Sequence, residues 1–271
     1  MPRRSASSAR RRMNDSSKST VIGLLLIVTV ALIFAFAGWY YLQNREDLDK
    51  FGCPKDTSLR NNVSVVIVDT SSRFNSDQKQ ALNGFAEKIL NSIPKYTELK
   101  LYKMTDAGVG QKDLLLSVCS PGDPKDVNQW TQNQKIAMQN WKVGFAEKID
   151  QEFKNISNSQ GLNASPIIES IRSVSLLEFG GNNQKNKSLI IISDFVQNSK
   201  LMNMYALQPD IGAFKSSTGY AESIARLGGV RTELLLLENE PKIQTAKFKE
   251  FWIQLIISNG GAARMQSLIQ F

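Results

Sequence analysis

The sequence has no histidine in its 271 residues. That absence removes imidazole general bases, Ser-His-Asp triads and the commonest zinc ligand together. Cysteine is almost as scarce, with only Cys53 and Cys119 present. They permit one disulfide in an oxidising compartment, or two free thiols otherwise. No glycine-rich phosphate loop follows any of the expected strands, which argues against a nucleotide cradle. A strong positive charge on the body of the chain is missing too. Residues 1–20 hold Arg3, Arg4, Arg10, Arg11, Arg12 and Lys18 against Asp15, and so supply +5 of the net +8. The remaining +3 is spread over 251 residues, so the basicity belongs to a tail and no nucleic-acid partner is expected.

No charged side chain occurs between Lys18 and Arg45. Within that gap, residues 21–42 are almost continuously apolar and end near Trp39, Tyr40 and Tyr41. Twenty-two residues at 1.5 Å each give roughly 33 Å of helix, enough to cross a hydrocarbon core. The arginines predict a cytoplasmic N-terminus, and the aromatic cluster suits the far interface. The alternative is a cleaved signal peptide, because Ala35-Phe36-Ala37 has the small-x-small form of a cleavage site. The length of the run and its continuation through the aromatics favour an uncleaved anchor. The expected organisation is a basic cytoplasmic tail (1–20), a transmembrane helix (21–42), a polar linker (43–62) and a globular domain (63–271). That domain would lie in the periplasm or outside the cell.

A hydrophobic content of 42% can fill a sizeable core in that domain. Strands are expected at 63–68, 99–104, 114–119, 188–193 and 230–237, where β-branched or alternating apolar residues run between turn signals. Helices are expected at 77–92, 133–155, from Ser165-Pro166, around 220–227 and at 247–258, each with one apolar face. Ser165 reads as an N-cap with proline at the first helical position. The hexapeptide Gly-Phe-Ala-Glu-Lys-Ile occurs at Gly84 and again at Gly144 without a surrounding repeat, so it reads as coincidence between two amphipathic helices. Strands alternating with helices define an α/β fold with a doubly wound, mainly parallel sheet of about five strands, Rossmann-like in layout.

The stretch 63–73 places Asp69, Thr70, Ser71, Ser72 and Arg73 directly after a buried strand. Polar groups delivered to the carboxyl edge of an open sheet are where such folds bind ligands. A second apolar strand ends at Asp194, and Ser165 opens a helix between the two. Hard oxygen donors of this kind suit Mg²⁺. The arrangement resembles a von Willebrand factor type A (VWA) domain with its metal-ion-dependent adhesion site. That site has Asp-x-Ser-x-Ser after the first strand, a later Thr or Ser, and an Asp after the fourth strand. Asp69 and Ser71, then Ser165, then Asp194 stand at those positions. The resemblance covers roughly residues 63–261 and implies strand order 3-2-1-4-5 with the third strand antiparallel. It also implies a protein partner, often one whose carboxylate completes the metal shell. Arg73 stands where the family has its third hydroxyl, and its guanidinium offers an alternative to an ion.

A disulfide between Cys53 and Cys119 would close a loop of roughly 66 residues and tie the linker to the domain. The functional expectation is a membrane-anchored protein-interaction module in an envelope-associated complex, not an enzyme. Its contact surface would be the loops at Asp69, Ser165 and Asp194 with the segment 195–205 beside them. The competing expectation is a metal-dependent hydrolase using Asp69 and Asp194. Ser71 stands where a haloacid-dehalogenase-like site would carry its second aspartate, which weighs against it.

Overall fold

A computed structural model describes residues 7–43, 47–60, 62–126, 133–159, 161–181 and 186–270. The first residues of the tail, the start of the expected linker at 44–46 with Asn61, the polar stretch 127–132 and Lys185 lie outside the described residues. The chain divides into two units, Met1–Asp47 and Leu48–Phe271. The packed unit therefore takes in most of the residues read above as linker.

The first unit is one helix, α1 (Ser7–Gln43). Within it Thr20–Tyr40 is long and apolar enough to cross a membrane, with a mean hydropathy of 2.8. One such helix at this end of the chain fits a single-pass membrane protein.

The second unit runs β1 (Asn62–Val68), α2 (Ser76–Ser92), β2 (Thr97–Lys103), β3 (Leu114–Cys119), α3 (Gln134–Trp141), α4 (Glu147–Ser157) and α5 (Ile167–Val174). It continues β4 (Asn186–Ser193), α6 (Ile211–Lys215), α7 (Tyr220–Ser223), β5 (Val230–Leu236), α8 (Ala246–Ser258) and β6 (Ala262–Ser267). Single π-turns join α3 to α4 at Lys142–Ala146 and extend α5 through Ser175–Phe179. The six strands lie in the order β3-β2-β1-β4-β5-β6. Only β3 is antiparallel to its neighbour. This is the doubly wound layout expected, with a sixth strand in place of about five. The strand β6 escapes a pattern search because it lies on an edge, where Ala-Ala-Arg-Met-Gln-Ser is mostly exposed or half-buried and carries no apolar run.

Alternation along the strands sorts side chains into two cores. Val63, Val65 and Ile67 face the layer built from α5 and α8. Val66 and Val68 face Leu82, Phe85 and Ile89 of α2 and Ile149 and Phe153 of α4. The repeated hexapeptide supplies Phe85 and Phe145 to this same core, each on its own helix. Cys53 and Cys119 are disulfide-bonded, as expected. Because β3 runs against β2, Cys119 lies opposite Glu98 at the start of β2, at the amino edge of the parallel strands. The candidate site occupies the other end.

Candidate functional site at the carboxyl edge of the sheet

Strand register assembles the site. In the β1–β4 pairing Val68 lies opposite Ile192, and the Asp69 N–H donates to the Ile192 carbonyl at 2.8 Å. Asp69 and Ser193 thus leave the sheet side by side. The Asp69 carboxylate is buried and accepts from three donors. Its Oδ1 accepts the Ser71 N–H at 2.8 Å, and its Oδ2 accepts the hydroxyls of Ser165 at 2.8 Å and Ser193 at 2.7 Å. Asp194 is also buried, at 3% exposure; its Oδ1 accepts the Val196 N–H and its Oδ2 the Ser72 hydroxyl, each at 2.9 Å.

Four of the expected residues therefore converge: Asp69, Ser71, Ser165 and Asp194. Ser71 meets Asp69 through its backbone N–H. Arg73 is exposed, and among the described residues no ion pair joins it to either aspartate. Ser72 and Ser193 were not singled out in the sequence, yet each donates to one of the two carboxylates, Ser193 at the shortest distance. Ser193 had a readable signal, being the last strand residue before Asp194. Ser72 had none, because only the folded turn brings its hydroxyl across to β4.

Ser165 departs from its expected role. The helix α5 starts at Ile167 with Pro166 in the capping position and no side-chain cap on that residue. The Ser165 hydroxyl serves instead as a donor to a buried carboxylate, a charge-assisted bond stronger than an ordinary cap. Capping comes from across the site, where Gln197 Oε1 accepts the Ile168 N–H at 3.0 Å. The helix near 220–227 is likewise shorter than expected, closing at Ser223.

Burial, then the neighbouring charge of Asp69, push the Asp194 carboxyl up to about 6; the Val196 N–H and the Ser72 hydroxyl oppose that rise, and Glu240 adds to it. Tyr205 is raised by burial and by the charges of Asp194, Glu240 and Asp69, which places its ring in the field of the pair.

The segment 195–205 is buried at its start and at Met204 and half-buried or exposed elsewhere. Phe195, Val196, Gln197 and Met204 are buried, whereas Tyr205 and Leu207 are exposed. Phe195 takes a left-handed backbone with φ of 58°. That conformation is held from both sides: its N–H donates to Ser193 Oγ at 2.8 Å, and its carbonyl accepts the Trp252 indole N–H at 3.1 Å. Gln244 closes the next loop by donating to the carbonyls of Asp194 (2.9 Å) and Leu237 (2.8 Å). The outer surface of the site is therefore formed by Ser71, Ser72 and Arg73, with the carboxylates beneath, Tyr205 at the rim and exposed Leu207 two residues farther along the same loop.

The donor set, two carboxylates with serine hydroxyls, has the hard-oxygen chemistry of a magnesium site. Among the described residues no group of three or more His, Cys, Asp or Glu is placed to hold a metal ion. Any ion would depend on hydroxyl and water ligands as much as on charge.

The strand order and the antiparallel β3 make this a VWA-like α/β domain behind one apolar N-terminal helix. No family model matches the sequence, and no curated protein matches it. Among solved structures, the chain is similar to BatB, a conserved hypothetical protein from Bacteroides thetaiotaomicron. That match has 10% identity and a TM-score of 0.37, covering 76% of this chain and 90% of that one. A von Willebrand factor type A protein from Catenulispora acidiphila matches at 11% identity and a TM-score of 0.43, covering 78% of this chain and 40% of that one. The PilB minor pilin from Streptococcus sanguinis matches at 12% identity and a TM-score of 0.40, covering 78% and 59%. Identities near a tenth say nothing of what this chain binds.

Proposed function

We propose that this chain is a single-pass, membrane-anchored protein-interaction module of an envelope-associated complex. In this reading residues 1–20 form a cytoplasmic tail, 21–42 the transmembrane helix and 43–62 a connecting segment. The VWA-like domain, 63–271, stands in the periplasm or outside the cell. The disulfide supports that placement, since such bonds persist in oxidising compartments. The observation carrying the binding role is the convergence of Asp69, Ser165 and Asp194 from three separate loops at the carboxyl edge. Both carboxylates lie beneath serine hydroxyls rather than open to a substrate, which supports binding over hydrolysis.

Asp69, Ser71, Ser165 and Asp194 would hold Mg²⁺, and Ser72 would steady Asp194. The ion would supply a Lewis-acidic point for a partner's carboxylate. Arg73, exposed at the rim, offers a second way to meet that carboxylate without an ion.

A photoreactive amino acid at Tyr205 or Leu207 tests the reading in native membranes. The expected result is one discrete protein adduct from either position, absent when the probe replaces Leu177 and lost with Asp69→Ala. An adduct that persists in Asp69→Ala, or none from either position, would overturn the assignment of this edge.

A further inference from the structure

The helix α3 is unusual for a globular domain, because none of its residues is buried. Ile136 is 57% exposed, Met138 42%, and Val143 on the following π-turn 54%, with Trp141 only half-buried. Two grooves flank it. One of about 710 Å³ includes Ile93, Pro94, Pro121, Met138 and Trp141. The other, about 440 Å³, lies between Leu48, Phe51 and Gly52 on one wall and Val143 and Lys148 on the other. Leu48 and Phe51 are each 44% exposed. The result is one apolar face at the amino edge of the sheet, made of α3, the π-turn and the segment 48–52.

Basic side chains surround this face. Lys50, Lys135, Lys142 and Lys148 are all exposed. The acids there are Asp49, which pairs with Arg60 at 2.9 Å, Glu147, and Asp123 and Asp126 along the larger groove, where Lys95 and Lys125 accompany them, so basic side chains still outnumber acids. Exposed apolar residues with a tryptophan and a lysine rim form the pattern of a surface seated in a lipid interface. Covalent connection supports this occupant. Only seven residues separate Tyr40, the end of the apolar span, from Leu48, and the eight steps reach at most about 29 Å. The Phe51 carbonyl accepts the Cys119 N–H at 3.0 Å, and the Cys53–Cys119 bond lies two residues on, so segment and domain edge are one surface.

We propose that this face seats the domain on the lipid interface, with Phe51, Met138, Trp141 and Val143 at the headgroup level. The inference rests on the membrane-anchored reading above. Seated this way, the parallel strands point outward. Seven strand residues, roughly 23 Å, then separate the membrane end from the Asp69–Asp194 edge. The face thus decides which way the binding edge looks, a property that a flexible tether alone would leave open.

The full chain in lipid nanodiscs of phosphatidylcholine and phosphatidylglycerol provides the test. Met138→Cys and, separately, Leu207→Cys carry an environment-sensitive fluorophore; the native cysteines are bonded to each other and do not compete. With spin-labelled lipid as quencher, the label at 138 should lose about half its emission and the label at 207 almost none. Equal quenching at both positions, or none at either, overturns the seat and leaves α3 as a surface for a protein partner. A chain that fails to stay with the nanodisc overturns the anchor itself, which chromatography separates from the previous outcome. If Met138→Cys loses its thermal transition, Val143→Cys replaces it in the same measurement.

Discussion

Asp194 is the residue where burial and charge conflict most. Its carboxyl binds a proton up to about pH 6 in the folded chain, against an ordinary value of 3.8. The folded state then holds more protons than the unfolded state between those values, so its stability falls as pH rises through that window. A separation of that size corresponds to on the order of 3 kcal/mol. Asp194→Asn keeps an acceptor for the Val196 N–H and can donate to Ser72, but cannot ionise. In chelator-containing buffer the variant should gain on the native chain as pH rises from about 4 to 7. A gap between the two denaturation midpoints that stays constant with pH would refute the effect. The same pair governs the ion. Millimolar Mg²⁺ or Mn²⁺ should raise the melting temperature of the native protein and leave Asp69→Ala unmoved. Unchanged transitions in both proteins would remove the metal from the site. At this scale the sequence was informative in part. Asp69, Ser71, Ser165 and Asp194 were readable because a strand end followed by an acid or hydroxyl is a local signal. Ser72 was not, since its partner lies 122 residues away. Among the described residues Arg73 stands exposed beside the pair without an ion pair to either aspartate, because adjacency in sequence does not decide which side of a turn a long side chain takes.

At the scale of elements, the corner after β4 is held by α8. Trp252→Phe removes the indole donor from the Phe195 carbonyl, which still accepts the Gln197 N–H, and should cost about 0.5–1.5 kcal/mol beyond what the smaller ring loses in packing. Urea denaturation reads this, and a change under a few tenths of a kcal/mol would show that the left-handed corner needs no such tie. A second brace joins β2 to the π-turn after α5. Lys100 Nζ donates to Glu178 at 2.6 Å, and the Tyr102 hydroxyl donates to the same buried carboxylate. Replacing Glu178 by Ala leaves a largely buried ammonium without that partner and should cost about 2–4 kcal/mol. Glu178→Gln, which retains the Tyr102 bond, should cost less. The third brace is covalent. The double variant Cys53→Ser, Cys119→Ser opens a loop of 66 residues and should lose about 4 kcal/mol in the loop-entropy account. A thermal transition unchanged by reductant would contradict it. Strands and helices with strong periodicity were legible in advance, since β1, β3, β4 and α8 fall within two residues of their expected ends. The helix α6 and strand β6 were not, and α7 closes earlier than expected, because each is short and gets its shape from neighbours rather than from its own pattern.

For the whole molecule, the apolar helix and the α/β domain are two separate units. The apolar span is predicted to hold the protein through an alkaline carbonate wash. Paired arginines at Ile27 and Val30 should release it, each costing roughly 2.5–3.5 kcal/mol of insertion free energy. Retention of that variant in the pellet would mean that something other than the helix holds the chain. What the sequence determined by itself follows from local physics. An apolar run without a charge makes a helix long enough to cross a membrane, and alternating strands and helices make a doubly wound sheet. An absent histidine excludes a range of chemistry. What only the tertiary structure decided is non-local. Register placed Asp69 beside Ser193, and β-sheet pairing says nothing about register until both strands are in place. The fold converted Ser165 from an expected helix cap into a donor to a carboxylate 96 residues earlier. It also left α3 with Trp141 packed on the core while Ile136 and Met138 stay exposed. A helix pattern marks which residues are apolar, but only the folded chain shows which of them found a partner.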